Sequence, residues 1–170
     1  VSQAKSALAG CTGDVIILYG DTPFVRPETL QSLSAARKTA DIVVLGFNAG
    51  DPGRYGRLVM QGDAVSRIVE YKDASEQERA ITFCNSGVIC AKAEVLFSLL
   101  EVVGNDNASG EYYLTDIVQL ANDRNLSVAA VHCDEAETMG INSRAELAQA
   151  EASFQTRTRA EMMALGVSLT

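Results

Sequence analysis

The segment VIILYGD (residues 15–21) decides how the first half of the chain folds. Four apolar residues run without interruption and are followed by a tyrosine, a glycine and one carboxylate, Asp21. A continuous apolar run of this length is typical of a parallel strand that is covered on both faces. The run therefore predicts a buried strand over residues 14–18, with Asp21 just beyond its carboxyl end.

Apolar periodicity after this run predicts alternating strands and helices. A helix is predicted over residues 27–38, where Pro27 stands in the first turn, and a second strand over residues 41–47. A turn at residues 61–63 joins two predicted strands of a hairpin, and residues 143–165 carry apolar residues at helical spacing. We therefore predict an α/β protein with a β-rich insertion and a long C-terminal helix.

The composition excludes several classes of protein. The 170 residues are enough for one domain, and 22 acidic against 14 basic residues give a net charge of −8. No dense cluster of Lys and Arg occurs, so a nucleic-acid partner is not expected. No apolar run approaches the roughly 18 residues of a membrane span, and the first residues lack the pattern of an export signal.

The cysteines and the single histidine are predicted to be structural. Cys11, Cys84, Cys90 and Cys133 show no CxxC spacing, and free cysteines are mostly buried. They are therefore predicted to be reduced core thiols, which points to the cytoplasm. His132 lies at the end of an apolar run and is assigned no catalytic role.

Asp21 has two interpretations. An acid directly after a strand often forms a turn or caps a helix, and Thr and Pro follow it here. Ligands of open α/β sheets, however, gather beyond the carboxyl ends of the strands. A carboxylate at that edge is a suitable oxygen ligand for Mg²⁺, which completes its coordination with water and phosphate oxygens.

Six short motifs favour the second interpretation. They are, in order, LYGDTPF, RYGRLV, IVEYKDA, FCNSGV, SGEYYLTDIV and GINSRAEL. Together they resemble the pyrophosphorylase domain of the bacterial bifunctional N-acetylglucosamine-1-phosphate uridylyltransferases, over nearly the whole chain. The resemblance implies a partial doubly wound, Rossmann-like nucleotidyltransferase fold, with residues 1–142 in the domain and residues 143–170 as its C-terminal linking helix.

The same resemblance implies a reaction and a site. UTP and N-acetylglucosamine 1-phosphate would give UDP-N-acetylglucosamine and pyrophosphate, and full-length members of the family are commonly trimers. Asp21 and Asn142 match the two protein ligands of the catalytic Mg²⁺. The positions that match nucleotide- or sugar-phosphate-binding residues are Tyr19, Gly20, Gly56, Glu70, Asn85, Tyr113 and Thr115. Taken singly, these residues also have ordinary roles, such as a turn glycine, a strand-end acid or a helix cap.

The residue types suit this chemistry. When a phosphate oxygen attacks the α-phosphate of a nucleotide, the protein mainly has to align the groups and neutralise charge, so no nucleophilic side chain is required. Glu70 and Asn85 can hydrogen-bond sugar hydroxyls, and Gly56 lets the backbone approach a ligand without a Cβ in the way.

The chain departs from the family pattern in one respect. The family's glycine-rich nucleotide loop, and a second uridine-contacting motif, do not occur in these 170 residues. We expect the chain to be part of a longer enzyme, to expose an apolar strand edge, and to be inactive alone. Arg26, Arg57 and Lys72, which lie near the predicted site in sequence, are not expected to replace the missing phosphate cradle.

Two other functions stay open at this point. The chain could belong to a different sugar-1-phosphate nucleotidylyltransferase, of the glucose-1-phosphate thymidylyl or uridylyl kind. It could also be a non-catalytic half-domain that binds sugar phosphate weakly or pairs with a partner chain.

Overall fold

A mixed six-stranded sheet forms the centre of the protein. The computed structural model describes residues 1–169. Within them the sheet has the order β1-β5-β2-β6-β4-β3, and β3 also touches β5. The strands are β1 (Asp14–Ile17), β2 (Ile42–Asn48), β3 (Arg57–Gln61), β4 (Ala64–Val69), β5 (Phe83–Lys92) and β6 (Val128–Cys133).

Strand direction determines where the loops converge. β5 is antiparallel to both β1 and β2, and β2 is parallel to β6. β1, β2 and β6 therefore run in the same direction, and their carboxyl ends share one edge of the sheet. β5 begins at that edge, because Phe83 pairs with Asn48 at the end of β2.

Helices cover the two faces of the sheet. They are α1 (Pro27–Ala36), α2 (Glu76–Arg79), α3 (Ala93–Leu100), α4 (Ile117–Asp123) and α5 (Arg144–Ala164), with 3-10 turns at Ser2–Ala4, Leu114–Asp116 and Glu135–Thr138. Alternate residues of β2 enter different cores: Ile42 and Val44 pack with residues of α3 and α4, whereas Val43 and Leu45 pack with Leu33 of α1. The predicted doubly wound α/β class is confirmed.

Local sequence explains where several helices begin. Pro27 starts α1, where its missing N–H costs no hydrogen bond. Ser75 and Glu78 form a reciprocal capping box at the start of α2. The Ser143 side chain accepts a hydrogen bond from Glu146 N (3.2 Å) at the start of α5. The elements predicted above are present, with ends that differ by at most two residues.

The prediction of a buried parallel strand over residues 14–18 is wrong. β1 lies at one end of the sheet, pairs only with β5, and pairs with it antiparallel. Ile16 is 36% and Leu18 48% exposed. An apolar run can predict a strand, but its neighbours decide whether the strand is covered. The expectation of an exposed apolar strand edge is confirmed.

Several smaller predictions are also decided by the structure. The four cysteines are free, and Cys84, Cys90 and Cys133 are buried. The prediction of a core thiol is wrong for Cys11, which is half-buried in the segment that precedes β1. Burial raises the pKa of the Cys133 thiol to about 12. His132 is exposed, and its ring stacks on Phe83 with 6.0 Å between centroids. None of the described helices combines the length and the apolar character that a bilayer span needs.

Candidate functional site

A polar cavity of about 440 Å³ lies at the edge where β1, β2 and β6 end. Segments from six parts of the chain contribute its walls. The lining residues are Tyr19, Asp21, Thr22, Arg54, Tyr55, Gly56, Glu70, Asn85, Ser86, Gly87, Thr115, Thr138, Gly140, Asn142 and Glu146. Larger hollows beside α3 (about 610 Å³) and α5 (about 670 Å³) are lined by other residues.

The structure brings together most of the residues singled out from sequence. Seven of them line this cavity: Tyr19, Asp21, Gly56, Glu70, Asn85, Thr115 and Asn142. Gly20 is not among the lining residues. Tyr113 lines a neighbouring cavity of about 260 Å³, which also contacts Lys72 and shares Arg54 and Glu70 with the first.

The cavity has two sides that are built differently. We call Gly56, Glu70, Asn85 and Thr115 the strand side, because the first three lie directly before β3, directly after β4 and within β5. We call Tyr19, Asp21, Gly140 and Asn142 the loop side, because they lie in the segments that follow β1 and β6.

The strand side is held by hydrogen bonds among its own members. Thr115 Oγ1 donates to Glu70 Oε1 (3.0 Å), and Asn85 N donates to the Gly56 carbonyl (2.8 Å). Asn85 Oδ1 accepts from Gly87 N (3.0 Å). A Cβ at Gly56 would lie 3.2 Å from Ile68 Cγ2 and 3.4 Å from both Glu70 carboxylate oxygens, so this close approach favours glycine.

Backbone contacts hold the loop side. Ile141 N donates to the Asp21 carbonyl (2.9 Å), which places Asn142 beside the Asp21 segment although the two residues are 121 positions apart. Asn142 N in turn donates to Glu146 Oε2 (2.6 Å) in the first turn of α5. Asp21 and Asn142 thus line one cavity, and their side chains carry a carboxylate and an amide oxygen, which are hard donors of the kind that Mg²⁺ binds.

Tyr19 joins the two sides. Its ring lies over Gly87, where a Cβ would be 2.1 Å from Tyr19 Cε2, and Gly87 has φ +86°. Burial raises the pKa of Tyr19, and the negative charges of Glu70 and Asp21 raise it further. Among the described residues, Asp21, Glu70 and Glu146 line the cavity against one arginine, so it is electronegative, which favours cations and requires a counter-charge for any phosphate.

The cations near the cavity are mostly engaged elsewhere. Arg57 is 1% exposed and donates to the carbonyls of Tyr55, Gly53 (3.1 Å) and Arg79 (3.3 Å). Arg26 pairs with Asp134 (3.6 Å), and Lys72 donates to Ser109 Oγ (3.0 Å). Among the residues that the structure describes as lining the cavity, the one cation is Arg54, a residue that sequence reasoning missed.

Sequence reasoning missed seven further lining residues. Six of them lie inside motifs already quoted: Thr22, Tyr55, Ser86, Gly87, Gly140 and Glu146. Because neighbouring residues of the same motifs were predicted to bind substrate, these residues could have been predicted to line the site as well. Thr138 lies outside the quoted motifs and carries no such signal. Within residues 1–169, no group of three or more His, Cys, Asp and Glu side chains could hold a metal.

Comparisons with known proteins agree with the fold. No protein-family model matches the chain. Among solved structures, a putative glucose-1-phosphate thymidylyltransferase from Bacillus anthracis has a TM-score of 0.63 at 17% identity, covering 89% of this chain and 57% of that one. A 4-diphosphocytidyl-2C-methyl-D-erythritol synthase from Anaerococcus prevotii has a TM-score of 0.61 at 17% identity, covering 90% and 64%. Both likenesses show a nucleotidyltransferase fold.

Curated relatives are much more similar in sequence. "Bifunctional protein GlmU" of Ruegeria pomeroyi is 64% identical over 169 residues, which are 99% of this chain and 38% of that protein. The protein of the same name from Ruegeria sp. strain TM1040 is 64% identical over 170 residues, and that from Cereibacter sphaeroides strain ATCC 17025 is 59% identical. The chain spans about 38% of the length of the Ruegeria relatives. The family resemblance inferred from the motifs is confirmed, and the chain is homologous over its whole length to a segment of bifunctional GlmU proteins.

Proposed function

We propose that the chain is the sugar-phosphate-binding part of a longer uridylyltransferase that makes UDP-N-acetylglucosamine. The observation that carries this proposal is the convergence, on one cavity, of seven residues drawn from positions 19 to 142. The relatives named GlmU support the choice of substrates, since they are up to 64% identical to this chain. The fold neighbours support nucleotides and sugar phosphates in general.

The reaction is a nucleotidyl transfer. A phosphate oxygen of N-acetylglucosamine 1-phosphate forms a bond to the α-phosphorus of UTP. The bond between that phosphorus and the oxygen bridging to the β-phosphate breaks, and pyrophosphate leaves with both electrons. Because the attacking oxygen is already anionic, the protein needs no general base and mainly has to orient the two phosphates.

Asp21 and Asn142 would hold a divalent cation on the loop side, and we propose Mg²⁺. The donor set fits, because one carboxylate and one amide oxygen leave the remaining positions to water and phosphate. When bound, such an ion neutralises phosphate charge and fixes the phosphate orientation. Asn142 contributes no charge, so one protein anion offsets the cation.

The strand side would bind the sugar. Glu70 has one carboxylate oxygen bonded to Thr115, which fixes the carboxylate so that its other oxygen can accept from a sugar hydroxyl. Asn85 uses its Oδ1 within the protein, so its amide N–H groups are the ones aimed at a ligand. Gly56 leaves room above the Glu70 carboxylate.

Charge limits what this chain does by itself. The cavity is electronegative, and Arg54 is the lining cation among the described residues. A triphosphate needs several more positive groups or backbone amides. We therefore propose that other parts of the longer enzyme bind the UTP phosphates, that the 170 residues alone are inactive, and that the full-length protein is a trimer, as the family resemblance implies.

Pyrophosphate release tests the proposed substrates. A longer protein that contains this sequence is assayed with UTP, CTP or dTTP against N-acetylglucosamine 1-phosphate or glucose 1-phosphate, with Mg²⁺. We expect the UTP and N-acetylglucosamine 1-phosphate pair to react fastest. A preference for glucose 1-phosphate with dTTP would favour a different nucleotidylyltransferase, as the similar fold of a thymidylyltransferase allows.

Calorimetry tests whether the UTP phosphates are bound by other parts of the longer enzyme. The 170-residue chain is titrated with UTP plus Mg²⁺, and the longer protein serves as the control. We expect weak or undetectable heat from the short chain and clear binding by the longer one. Tight UTP binding by the short chain would contradict the claim that its phosphate contacts come from elsewhere.

A further inference from the structure

Glu137 is a buried acid for which the proposed reaction has no use. It lies in the 3-10 turn after β6 and is 3% exposed. Its Oε2 accepts hydrogen bonds from Thr29 Oγ1 (2.6 Å) and from Arg26 N (2.9 Å). Burying a carboxylate costs free energy unless it is well hydrogen-bonded. The segments that these hydrogen bonds join therefore indicate what the buried carboxylate does.

The two bonds join the segments that carry the loop side. Arg26 is the last residue before α1 and ends the segment that contains Asp21. Glu137 stands five positions before Asn142. Arg26 and Asp134 form an ion pair across the same junction (3.6 Å), and Ile141 N donates to the Asp21 carbonyl (2.9 Å).

The position of Glu137 also suits its charge. α1 has no side-chain hydrogen bond from its own N-cap residue, and Pro27 supplies no N–H in the first turn. The Glu137 carboxylate lies at this end of a ten-residue helix, where the helix dipole favours a negative group. It bonds the backbone N–H of the N-cap residue Arg26 and the side chain of Thr29 in the first turn, so a residue 108 positions from Thr29 holds this end of α1.

We propose that Glu137 is a positioning residue that fixes the Asp21 and Asn142 segments relative to each other, so that the side-chain oxygens of both residues can bind one cation. This inference rests on the metal pair in the proposed function. Glu137 touches neither substrate nor metal, and it acts through the backbone of the two segments. Outer residues that orient metal ligands commonly change metal affinity by about 10- to 100-fold when they are replaced.

Two measurements on the longer enzyme test the role. The first is hydrogen exchange in the peptide that contains Ile141, whose amide bonds to Asp21. The second is Mn²⁺ affinity, followed by electron paramagnetic resonance without substrate turnover. We expect Glu137→Ala to speed exchange at this peptide and to weaken Mn²⁺ binding by about tenfold or more. Glu137→Gln keeps one acceptor oxygen and should recover part of both.

Two controls separate positioning from general stability. Glu135→Ala removes an exposed acid of the same turn and should leave both readouts within about twofold of the parent, in line with ordinary surface substitutions. If Glu137→Ala does not fold, Thr29→Val removes one of the two bonds and should show the same pattern more weakly. The KM for the sugar phosphate should stay within about twofold in every folded variant, because the strand side is built elsewhere.

The outcomes distinguish this proposal from the proposed function. Unchanged Ile141 exchange and Mn²⁺ affinity in Glu137→Ala or, where that variant does not fold, in Thr29→Val would overturn the role of Glu137, whatever the substrates are. If the parent enzyme binds Mn²⁺ but does not use N-acetylglucosamine 1-phosphate, the substrate assignment fails and the exchange result still decides the role of Glu137.

Discussion

The strand side and the loop side of the cavity are held by different means. On the strand side, Asn85 and Gly56 are joined by a backbone hydrogen bond, and Glu70 is bonded to Thr115. On the loop side, one backbone bond from Ile141 joins two irregular segments. A regular sheet spreads the effect of a substitution over many bonds, whereas irregular segments depend on a few. We therefore expect changes behind the strand side to appear mainly in stability, and changes on the loop side mainly in activity.

Each side also has one buried charge behind it. Arg57 lies behind the strand side and donates to the carbonyls of Gly53, Tyr55 and Arg79. Glu137 lies behind the loop side and accepts from two donors. In both cases neutral groups satisfy the charge, so the buried residue serves to tie separate segments together, and replacing it leaves several polar groups without partners.

The largest effect is expected for the loop side in the longer enzyme. Asp21→Ala and Asn142→Ala remove the two oxygen donors, and we expect turnover to fall by about a thousandfold or more, because a bound metal contributes several kcal/mol to the transition state. Pyrophosphate release under saturating substrates measures this loss. The urea midpoint should stay near that of the parent, since Asp21 is exposed and Asn142 lies at the surface.

Matched controls for this prediction lie in exposed turns. Asp63→Ala, in the hairpin turn, and Asn105→Ala, in the loop after α3, remove the same chemical groups away from the cavity. Both should keep nearly full turnover. Near-normal rates in Asp21→Ala or Asn142→Ala would refute the metal assignment.

The second largest effect is expected behind the strand side. Arg57→Met fills a similar volume but removes the donors to the Gly53, Tyr55 and Arg79 carbonyls. We expect the free energy of unfolding to fall by about 2–4 kcal/mol, the cost of leaving buried acceptors unpaired. Urea denaturation measures the change, and Arg124→Met, at an exposed arginine, is the control. An equal, small loss in both variants would show that Arg57 does not brace this side.

The sequence predicts which residues form the strand side better than it predicts which residues hold them in place. Glu70, Asn85 and Gly56 lie in short motifs whose chemistry can be read locally, and all three line the cavity. Arg57 lies in the same motif as Gly56, yet it is buried and its guanidinium donates to backbone carbonyls. Burial depends on residues far along the chain, such as Arg79, so no local pattern reports it.

On the loop side, too, the contacts between distant residues could not be predicted from local sequence. The position of Asp21 after a strand follows from local apolar pattern, but its meeting with Asn142 depends on strand order. Glu137 and Thr29 are separated by 108 residues, and nothing in either segment predicts their contact. The apolar run of β1 wrongly predicts a buried parallel strand for the same reason, because such a run does not reveal whether a second neighbour is present, and the exposed edge was expected only from the family resemblance.

A third, smaller effect tests the contact between the sides. Gly87→Ala adds a Cβ 2.1 Å from Tyr19 Cε2 at a residue with φ +86°. We expect the free energy of unfolding to fall by about 1–3 kcal/mol, from backbone strain together with the displaced ring. The change in Tyr19 ring position is measured by its aromatic NMR signals, and stability by urea denaturation.

Gly62→Ala separates the two causes. Gly62 has φ +60° and nothing within 4 Å of its added Cβ, so this variant carries the backbone strain alone. We expect about 1 kcal/mol here, with the Tyr19 signals unchanged. If both variants lose the same free energy and Tyr19 does not move, then Tyr19 does not depend on the close approach at Gly87.

The smallest effect concerns α2, whose last residue, Arg79, accepts hydrogen bonds from Arg57. The Ser75 side chain, followed by the Ser75 backbone and Arg67, lowers the pKa of Glu78 from its ordinary 4.5 to about 2. Because the folded pKa is the lower one, this stabilisation is present above pH 4.5 and is lost as the pH falls toward 2. Its size should stay below about 1 kcal/mol, since the ion pair lies near the surface.

Carboxyl ¹³C NMR between pH 5 and pH 2 measures this titration. Ser75→Ala removes the largest cause, so we expect the pKa of Glu78 to move back toward 4.5 and the acid-dependent loss of stability to become smaller. Glu76→Gln, in the same first turn, should leave that pKa unchanged. If Ser75→Ala also weakens sugar-phosphate binding, then the cap supports the strand side through Arg79 and Arg57. If binding is unchanged, the strand side does not depend on the cap of α2, and the residues that hold it in place extend no further than Arg57.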